Sequence, residues 1–152
     1  MIGEEDVYRV LEQVHDPEIR AVNIVDLGMV WDVKASDHVV HVTLIPTFVG
    51  CSAQTIIQRV AESRLAAAFP DVRVAVDLNL SGSWHTDRIS ERGREALKQS
   101  GIAPPGKDLG DVACPFCGSR DAAMENLFAS TSCRSLYYCR ACHNPFEAFK
   151  PL

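Results

Sequence analysis

The chain has 152 residues, of which 47% are apolar, and a formal net charge of −5. A chain of this size holds one ordinary domain, or a smaller one with a metal-stabilised appendage, and its apolar content argues against extensive disorder. The acidic balance argues against nucleic acid as the main partner. No apolar run approaches the roughly 20 residues that span a bilayer, and the acidic N-terminus lacks an apolar signal region, so we expect a cytoplasmic protein without membrane contact.

Helical and strand patterns alternate over the N-terminal part of the chain. Apolar residues at helical spacing predict a helix over residues 4–14. Further patterns predict strands over 29–33, 39–45 and 72–80, a second helix over 53–68 and a short third helix after residue 87. This α-β-β-α-β-α order predicts an α+β fold, in which helices pack on one face of a small three-stranded sheet.

The composition changes at residues 100–111. This stretch holds three glycines and the pair Pro104-Pro105, with little apolar content. Such a stretch is typical of a linker or a domain boundary. We therefore predict a first domain over 1–99, a linker over 100–111 and a small second domain over 112–152.

Two Cys-x₂-Cys pairs mark the second domain, Cys114 with Cys117 and Cys139 with Cys142. Each pair turns two sulfurs toward one ion, and two pairs complete a tetrahedral four-thiolate site. The pattern predicts a zinc ribbon with one structural zinc per chain, although four thiolates also suit iron. A tail of about forty residues buries little core, so the metal must supply folding energy.

The remaining residues of the second domain favour structural roles. Cys133 is predicted not to be a ligand, because the two pairs already fill four positions, and His143 is an alternative fourth ligand in a Cys₃His site. Strands are expected over 125–130 and 134–138. The aromatic residues are interpreted as a small core rather than a base-stacking platform, because the domain carries no basic patch. These aromatics are Tyr137, Tyr138, Phe146 and Phe149.

The stretch from Pro46 to Ser52 is the main candidate site of the first domain. It follows a predicted strand and precedes a predicted helix, so Cys51 is expected near a helix N-terminus. Free backbone N–H groups and the helix dipole stabilise a thiolate there and lower its pKa. The alternative is a small buried cysteine in a tight corner.

Four further polar residues are candidates near turns, where carboxylates with a thiolate can hold a transition metal transiently. These are Asp16, Glu18, Asp26 and Thr47, with His85 as a weaker candidate. Each has a structural alternative, such as ending a helix, closing a turn or satisfying backbone groups. No nucleophile triad, dinucleotide fingerprint or phosphate-binding loop is visible, so we lean against an enzyme that acts alone.

Taken together, these motifs resemble a known family. The first domain resembles the SufT-like iron–sulfur assembly domain in Asp16-Pro17-Glu18, Val25-Asp26-Leu27-Gly28 and Pro46-Thr47-x-x-Gly50-Cys51. The resemblance continues through Trp84-x-Thr86-Asp87-x-Ile89-Ser90, Gly101-Ile102-Ala103-Pro104-Pro105, the first cysteine pair and Pro145-Phe146-x-x-Phe149-Lys150-Pro151. The whole arrangement resembles the PaaD family, the D subunits of bacterial phenylacetyl-CoA epoxidase systems. Ser52 departs from the pattern, because relatives usually have proline there.

The resemblance implies an accessory protein of aerobic phenylacetate degradation that matures a metal centre. The implied client is the iron–sulfur cluster of the reductase subunit, or alternatively the di-iron centre of the oxygenase subunit. Cys51 would hold iron or a cluster labilely, with Asp16, Glu18 and Asp26 orienting the site or supplying oxygen ligands. One cysteine per chain is too few to enclose a cluster, so a homodimer or a client would complete the ligand set. The implied partners are the oxygenase and reductase subunits.

Two other functions stay open at this point. The chain would be a non-catalytic structural subunit if the ribbon is an interaction surface and Cys51 is only packed. It would be an electron carrier if the ribbon holds a redox-active iron.

Overall fold

The computed structural model of the chain describes residues 1–47, 53–82 and 84–151. The chain divides into two compact units: Met1–Trp84 with Arg88–Ser90, and His85–Asp87 with the residues from Glu91 onward. None of the helices in the described ranges has the length and apolar character that crossing a membrane requires.

A three-stranded sheet forms the centre of the first unit, in the order β1-β2-β3. The strands are β1, Val30–Ala35, β2, Val39–Leu44, and β3, Arg73–Leu78. Strands β1 and β2 pair antiparallel across a short turn, whereas β2 and β3 run parallel. A parallel pair needs a long crossover, and helix α2, Ala53–Ala68, lies between β2 and β3 in the chain.

Two helices bury the apolar side of this sheet. Helix α1, Glu4–Leu11, packs on α2 and β1, and α2 packs on β3. Leu11, Leu44 and Leu65 are among the side chains with no exposed surface, so α1, β2 and α2 share one apolar core. The predicted α+β fold with a small three-stranded sheet is confirmed.

Two elements of the first unit are shorter than predicted. Helix α1 ends at Leu11, and Val14 N donates to Leu11 O in a tighter turn, while the Val14 side chain stays fully buried. Strand β3 ends at Leu78, because the Asn79 side chain accepts hydrogen bonds from the backbone N–H groups of Ser81 and Gly82 and closes a turn there. The apolar spacing therefore marks a buried side chain beyond the end of α1, at Val14, but not beyond the end of β3, where Leu80 is 54% exposed.

The second unit contains a helix and a four-stranded sheet in the order β4-β7-β6-β5. Its elements are α3, Glu91–Gln99, β4, Ile102–Ala103, β5, Ala122–Asn126, β6, Arg134–Cys139, and β7, Pro145–Phe149. Tyr137 stacks on Phe146 with ring centroids 5.6 Å apart, and both are buried. They pack in a small core with the ligand-pair residues Cys114 and Cys139, as predicted for these two aromatics. Phe149 is also buried, whereas Tyr138 is only half-buried, and its hydroxyl contacts His143.

The sequence pattern located this second sheet only in part. Strand β6 lies where it was expected. Strand β5 overlaps only the first two residues of the predicted range 125–130, and β4 and β7 were not predicted. Residues 100–111 contribute β4, which pairs in parallel with β7. The use of this stretch as a domain boundary stays a prediction.

Candidate functional site

The four paired cysteines of the second unit bring their sulfurs together. All four Sγ atoms lie within 4.8 Å of one another. Two of the distances are 3.7 Å, from Cys114 to Cys142, and 3.6 Å, from Cys117 to Cys139. A tetrahedral ion with zinc–sulfur bonds of about 2.3 Å places its sulfurs about 3.8 Å apart. The geometry therefore fits one tetrahedral metal ion.

The two cysteine pairs have the same backbone conformation. Gly118 N donates to Cys114 O at 2.8 Å, and His143 N donates to Cys139 O at 2.9 Å. Gly118 has a φ of 79°. His143 has a φ of 63° and is the one non-glycine residue with a positive φ among the described residues. Each turn thus ends in a left-handed residue. This repetition places the four sulfurs as two related pairs.

Backbone and side-chain N–H groups also donate to the sulfurs. Cys142 N lies 3.5 Å from Cys139 Sγ, and Asn144 Nδ2 lies 3.4 Å from Cys142 Sγ. The backbone N–H of Asn144 is the largest cause that lowers the pKa of Cys142, to about 7. Such donors stabilise a thiolate, which is the form that binds a metal.

The neighbouring thiols act in the opposite direction on Cys117. The backbone N–H of Ser119 lowers the pKa of Cys117, but desolvation and the three adjacent thiols together outweigh it and raise the pKa to about 12. Four thiolates this close together repel one another unless a cation balances them. A divalent ion removes that conflict, so the charge of the cluster as well as its geometry fits a metal.

The two alternative ligands lie outside the cluster. Cys133 is buried, with its sulfur 3.1 Å from Thr131 Oγ1, and it is not part of the four-sulfur group. His143 directs Nδ1 to the Tyr138 hydroxyl at 3.0 Å. The structure therefore favours the four-cysteine set over a Cys₃His set.

A second group of polar residues surrounds Asp26 in the first unit. The Asp26 carboxylate is buried and accepts hydrogen bonds from Asn23 Nδ2 at 2.8 Å and Ser90 Oγ at 2.9 Å. Both of its oxygens thus have protein donors. Ser90 N also donates to Asp26 O at 2.8 Å. Asp26 therefore fixes the loop before β1 to the segment around Ser90, which is the structural alternative that the sequence left open.

Two large side chains from the same segment hold the rest of this loop. Trp84 Nε1 donates to Leu27 O at 2.9 Å, and Arg88 Nε donates to Gly28 O at 2.8 Å. Gly28 has φ +75°, and a Cβ built on it would lie 2.5 Å from Arg88 Cβ. Only glycine fits this contact. Sequence reasoning identified Asp26 but missed Asn23 and Arg88. The motif from Trp84 to Ser90 was the only signal near Arg88, and Asn23 had none.

Asp16 and Glu18 lie in the turn after α1. Asp16 is buried, and its Oδ1 accepts a hydrogen bond from Glu18 N at 2.8 Å. Within the described residues, the ribbon cysteines are the one group of three or more potential ligands close enough to share an ion. Asp16, Glu18 and Asp26 therefore do not form a carboxylate site by themselves.

The remaining candidate residues of the sequence analysis are Thr47, Cys51 and His85. Thr47 is half-buried at a bend after β2. Cys51, the candidate thiol, lies outside the described residues. His85 is exposed, and its Nδ1 accepts a hydrogen bond from Asp87 N at 3.1 Å. No role of these residues in metal handling is tested by the geometry.

Both parts of the chain match known protein families. Residues 4–78 match the family described as iron–sulfur cluster assembly protein, and residues 104–150 match the PaaD zinc beta ribbon domain. A solved domain of unknown function from Bacillus anthracis is similar over 62% of this chain and 90% of its own chain, with a TM-score of 0.57 and 32% sequence identity. A conserved hypothetical protein from Thermotoga maritima is similar over 63% of this chain and 94% of its own chain, with a TM-score of 0.55 and 29% sequence identity. The fold and the sulfur cluster thus define an iron–sulfur-assembly domain joined to a metal-binding ribbon.

Curated relatives add a match along almost the whole chain. A putative D subunit of 1,2-phenylacetyl-CoA epoxidase from Escherichia coli is 34% identical over 95% of this chain and 91% of its own length. An iron–sulfur protein maturation auxiliary factor from Porphyromonas gingivalis is 34% identical over 65% of this chain and 91% of its own length. The chain belongs to the PaaD family, so the resemblance found in its sequence is confirmed.

Proposed function

We propose that the chain is an accessory factor that matures an iron–sulfur cluster in a phenylacetyl-CoA epoxidase system. The observation that carries this proposal is the combination of matches. The first part matches iron–sulfur assembly proteins and maturation factors, and nearly the whole chain matches the D subunit of an epoxidase. The proposed client is the reductase subunit, whose cluster would be assembled or inserted with the help of this chain.

The proposed chemistry is ligand exchange at Cys51. The thiolate holds iron or a cluster transiently, and thiolates of a second copy or of the client complete the coordination. The structure supports a division of labour among the carboxylates. Asp26 already accepts two side-chain hydrogen bonds and holds its loop, whereas Glu18 is only partly buried. In this proposal the two buried carboxylates, Asp16 and Asp26, orient the site, and Glu18 supplies an oxygen ligand.

We propose zinc as the ion of the ribbon, with a purely structural role. The four-sulfur geometry supports a tetrahedral metal but suits rubredoxin-type iron as well. Metal analysis and a visible spectrum of the aerobically purified protein distinguish them. A colourless protein with one zinc per chain is expected and would eliminate the electron carrier, whereas one iron per chain with a red colour would contradict zinc as the ion.

The experiment for the main function uses cells that express the oxygenase and reductase subunits with and without this chain. Iron and acid-labile sulfide per reductase, the electron paramagnetic resonance signal of its reduced cluster, and di-iron content of the oxygenase are measured. Loss of the reductase cluster alone is expected when the chain is absent. Loss of the di-iron centre alone would identify the oxygenase as the client. Full metal content in both subunits would favour the rival hypothesis that the chain is a structural subunit.

The role of Cys51 is tested in the same cells with Cys51→Ser. We expect this variant to behave as the strain without the chain, whereas the neighbouring exchange Ser52→Ala supports normal cluster content. Solubility and ribbon metal content of the purified variant show whether it is folded. A Cys51→Ser variant that supports full reductase cluster content would refute the proposed thiol chemistry.

A further inference from the structure

Among the residues that the structure describes, Gln54 Oε1 is the one buried side-chain nitrogen or oxygen without a hydrogen-bond partner. Gln54 lies in the first turn of α2, and its side chain as a whole is half-buried. A buried acceptor of this kind lowers stability, because the hydration that it loses on folding is not replaced. Native proteins keep few such atoms, and a bound ion or a functional role commonly explains those that remain.

A second glutamine of α2 shows how such a side chain is satisfied elsewhere on the helix. Gln58 Nε2 donates to Val76 O of β3 at 2.7 Å. Gln54 lies one turn earlier on the same side of the helix, about 6 Å along its axis. The unpaired oxygen therefore belongs to the first turn of α2 and not to the whole face that packs on β3.

The first turn of α2 lies at a sheet edge where bound groups are common. Strands β2 and β3 run parallel and α2 connects them, so the helix begins beside the carboxyl ends of both strands. Open sheets with such crossovers bind ligands outside the carboxyl ends of their parallel strands. Gln54 also follows Cys51 by three residues, so chain connectivity alone keeps the two Cα atoms within about 11 Å.

We propose that Gln54 Oε1 is a positioning acceptor for a ferrous ion held by the Cys51 thiolate, as an oxygen ligand or through a water bound to the ion. An amide oxygen has lone pairs that a cation or a water O–H satisfies. The sulfides of a preformed cluster are themselves acceptors and would leave this oxygen without a partner. The inference rests on the proposed thiol chemistry of Cys51, and it specifies the cargo as the ion rather than the assembled cluster.

The first test is thermal unfolding of the iron-free chain with its ribbon metal bound. Tryptophan fluorescence reports on the first unit, because Trp31 and Trp84 both belong to it. Gln54→Met removes the unpaired oxygen at similar side-chain length and should raise the melting temperature by about 4 °C. Gln58→Met is the matched control on the same helix and should lower it, because Val76 O loses its side-chain donor.

The second test is an anaerobic titration of the same full-length proteins with ferrous chloride. Gln54→Met should weaken ferrous binding about tenfold, as is typical when a group that orients a metal site is lost. Gln54→Glu keeps an oxygen at this position and should bind the ion at least as tightly as the parent. Gln58→Met should bind it like the parent. A glutathione-ligated [2Fe–2S] cluster is the second probe, and Gln54→Met should not change its uptake.

The outcomes separate this inference from the proposed function. Unchanged ferrous affinity in Gln54→Met, with affinity lost in Cys51→Ser, would overturn the role of Gln54 and leave the thiol chemistry standing. Full ferrous affinity in Cys51→Ser would refute the thiol chemistry and this inference with it.

Three further results would overturn the inference. A lower melting temperature for Gln54→Met would mean that Oε1 has a partner in the free protein. Equal losses of ion and cluster binding would contradict the preference for the ion. A parent chain that binds no ferrous ion beyond its ribbon metal would exclude the ion as the ligand.

Discussion

Single residues fix the loops of both units through contacts that other side chains would not make. At Asp26, a buried carboxylate accepts a local hydrogen bond from Asn23 and a second one from Ser90, which lies 64 residues away in the sequence. The sequence identified Asp26 as a turn residue near a glycine, but nothing local indicates that Ser90 is its partner. Such a contact depends on the tertiary fold, so pattern reasoning could find the residue but not its role.

The Ser90 contact predicts a specific loss of stability. Ser90→Ala removes a donor to a buried charged acceptor, which should lower the free energy of unfolding by about 1.5–3 kcal/mol. Ser81→Ala is the matched control, since its exposed hydroxyl donates to Asn79 Oδ1 at 3.0 Å and should matter by less than about 0.5 kcal/mol. Urea unfolding monitored by tryptophan fluorescence measures both. Equal losses in the two variants would contradict a stabilising role for the Asp26 contact.

A second residue prediction concerns the turn of the first cysteine pair. Gly118 has φ +79°, and nothing lies within 4 Å of a Cβ built there, so alanine is opposed only by backbone conformation. Gly118→Ala should destabilise the metal-loaded protein by about 1 kcal/mol, and Gly118→Asn by less, because asparagine tolerates left-handed dihedrals better. Thermal unfolding of the three proteins checks this order. An alanine variant as stable as the parent would show that the turn does not need glycine.

At the scale of elements, the first sheet was predictable and the second largely was not. Strands β2 and β3 alternate apolar and polar residues because one face packs on helices, so their positions follow from the pattern. Strand β4 has only two residues, and β7 begins with Pro145, which weakens any strand pattern. Strand β5 pairs Ala122 with Cys139, so the cysteine pair helps to set its register. That constraint is not visible in local propensity.

Helix α2 offers a test with two neighbouring residues of one type. Ile57 is 3% exposed and faces the core, whereas Ile56 is 52% exposed. Ile57→Ala should cost about 2–5 kcal/mol of unfolding free energy through lost burial and a cavity. Ile56→Ala should change it by no more than about 0.5 kcal/mol, because helix propensity and surface effects are small. Denaturant unfolding of both variants measures the difference, and similar costs would mean that the helix is rotated from its described orientation.

For the whole molecule, the two units depend on different sources of stability. The first unit contains many fully buried aliphatic side chains from helices and sheet. The core of the second unit is small and includes two of the metal-binding cysteines themselves. Structural zinc sites contribute roughly 10–16 kcal/mol of apparent binding free energy, which is far more than so small a core supplies. The cysteine spacing made this dependence predictable from the sequence.

Removal of the metal should therefore unfold the ribbon and spare the first unit. With a chelator at neutral pH, we expect the amide signals of Tyr137 and Cys139 to collapse to unfolded positions, while those of Val42 and Val76 stay dispersed. The same loss should occur without chelator as pH falls, because protons compete with the metal for the thiolates.

Cys114→Ser should reproduce the unfolding of the ribbon at neutral pH, whereas Cys133→Ser should keep one metal per chain, since Cys133 lies outside the sulfur cluster. Metal loss in Cys133→Ser with the first unit intact would mean that Cys133 is a metal ligand. Dispersed Tyr137 and Cys139 signals in the metal-free protein would mean that the small core folds without the ion.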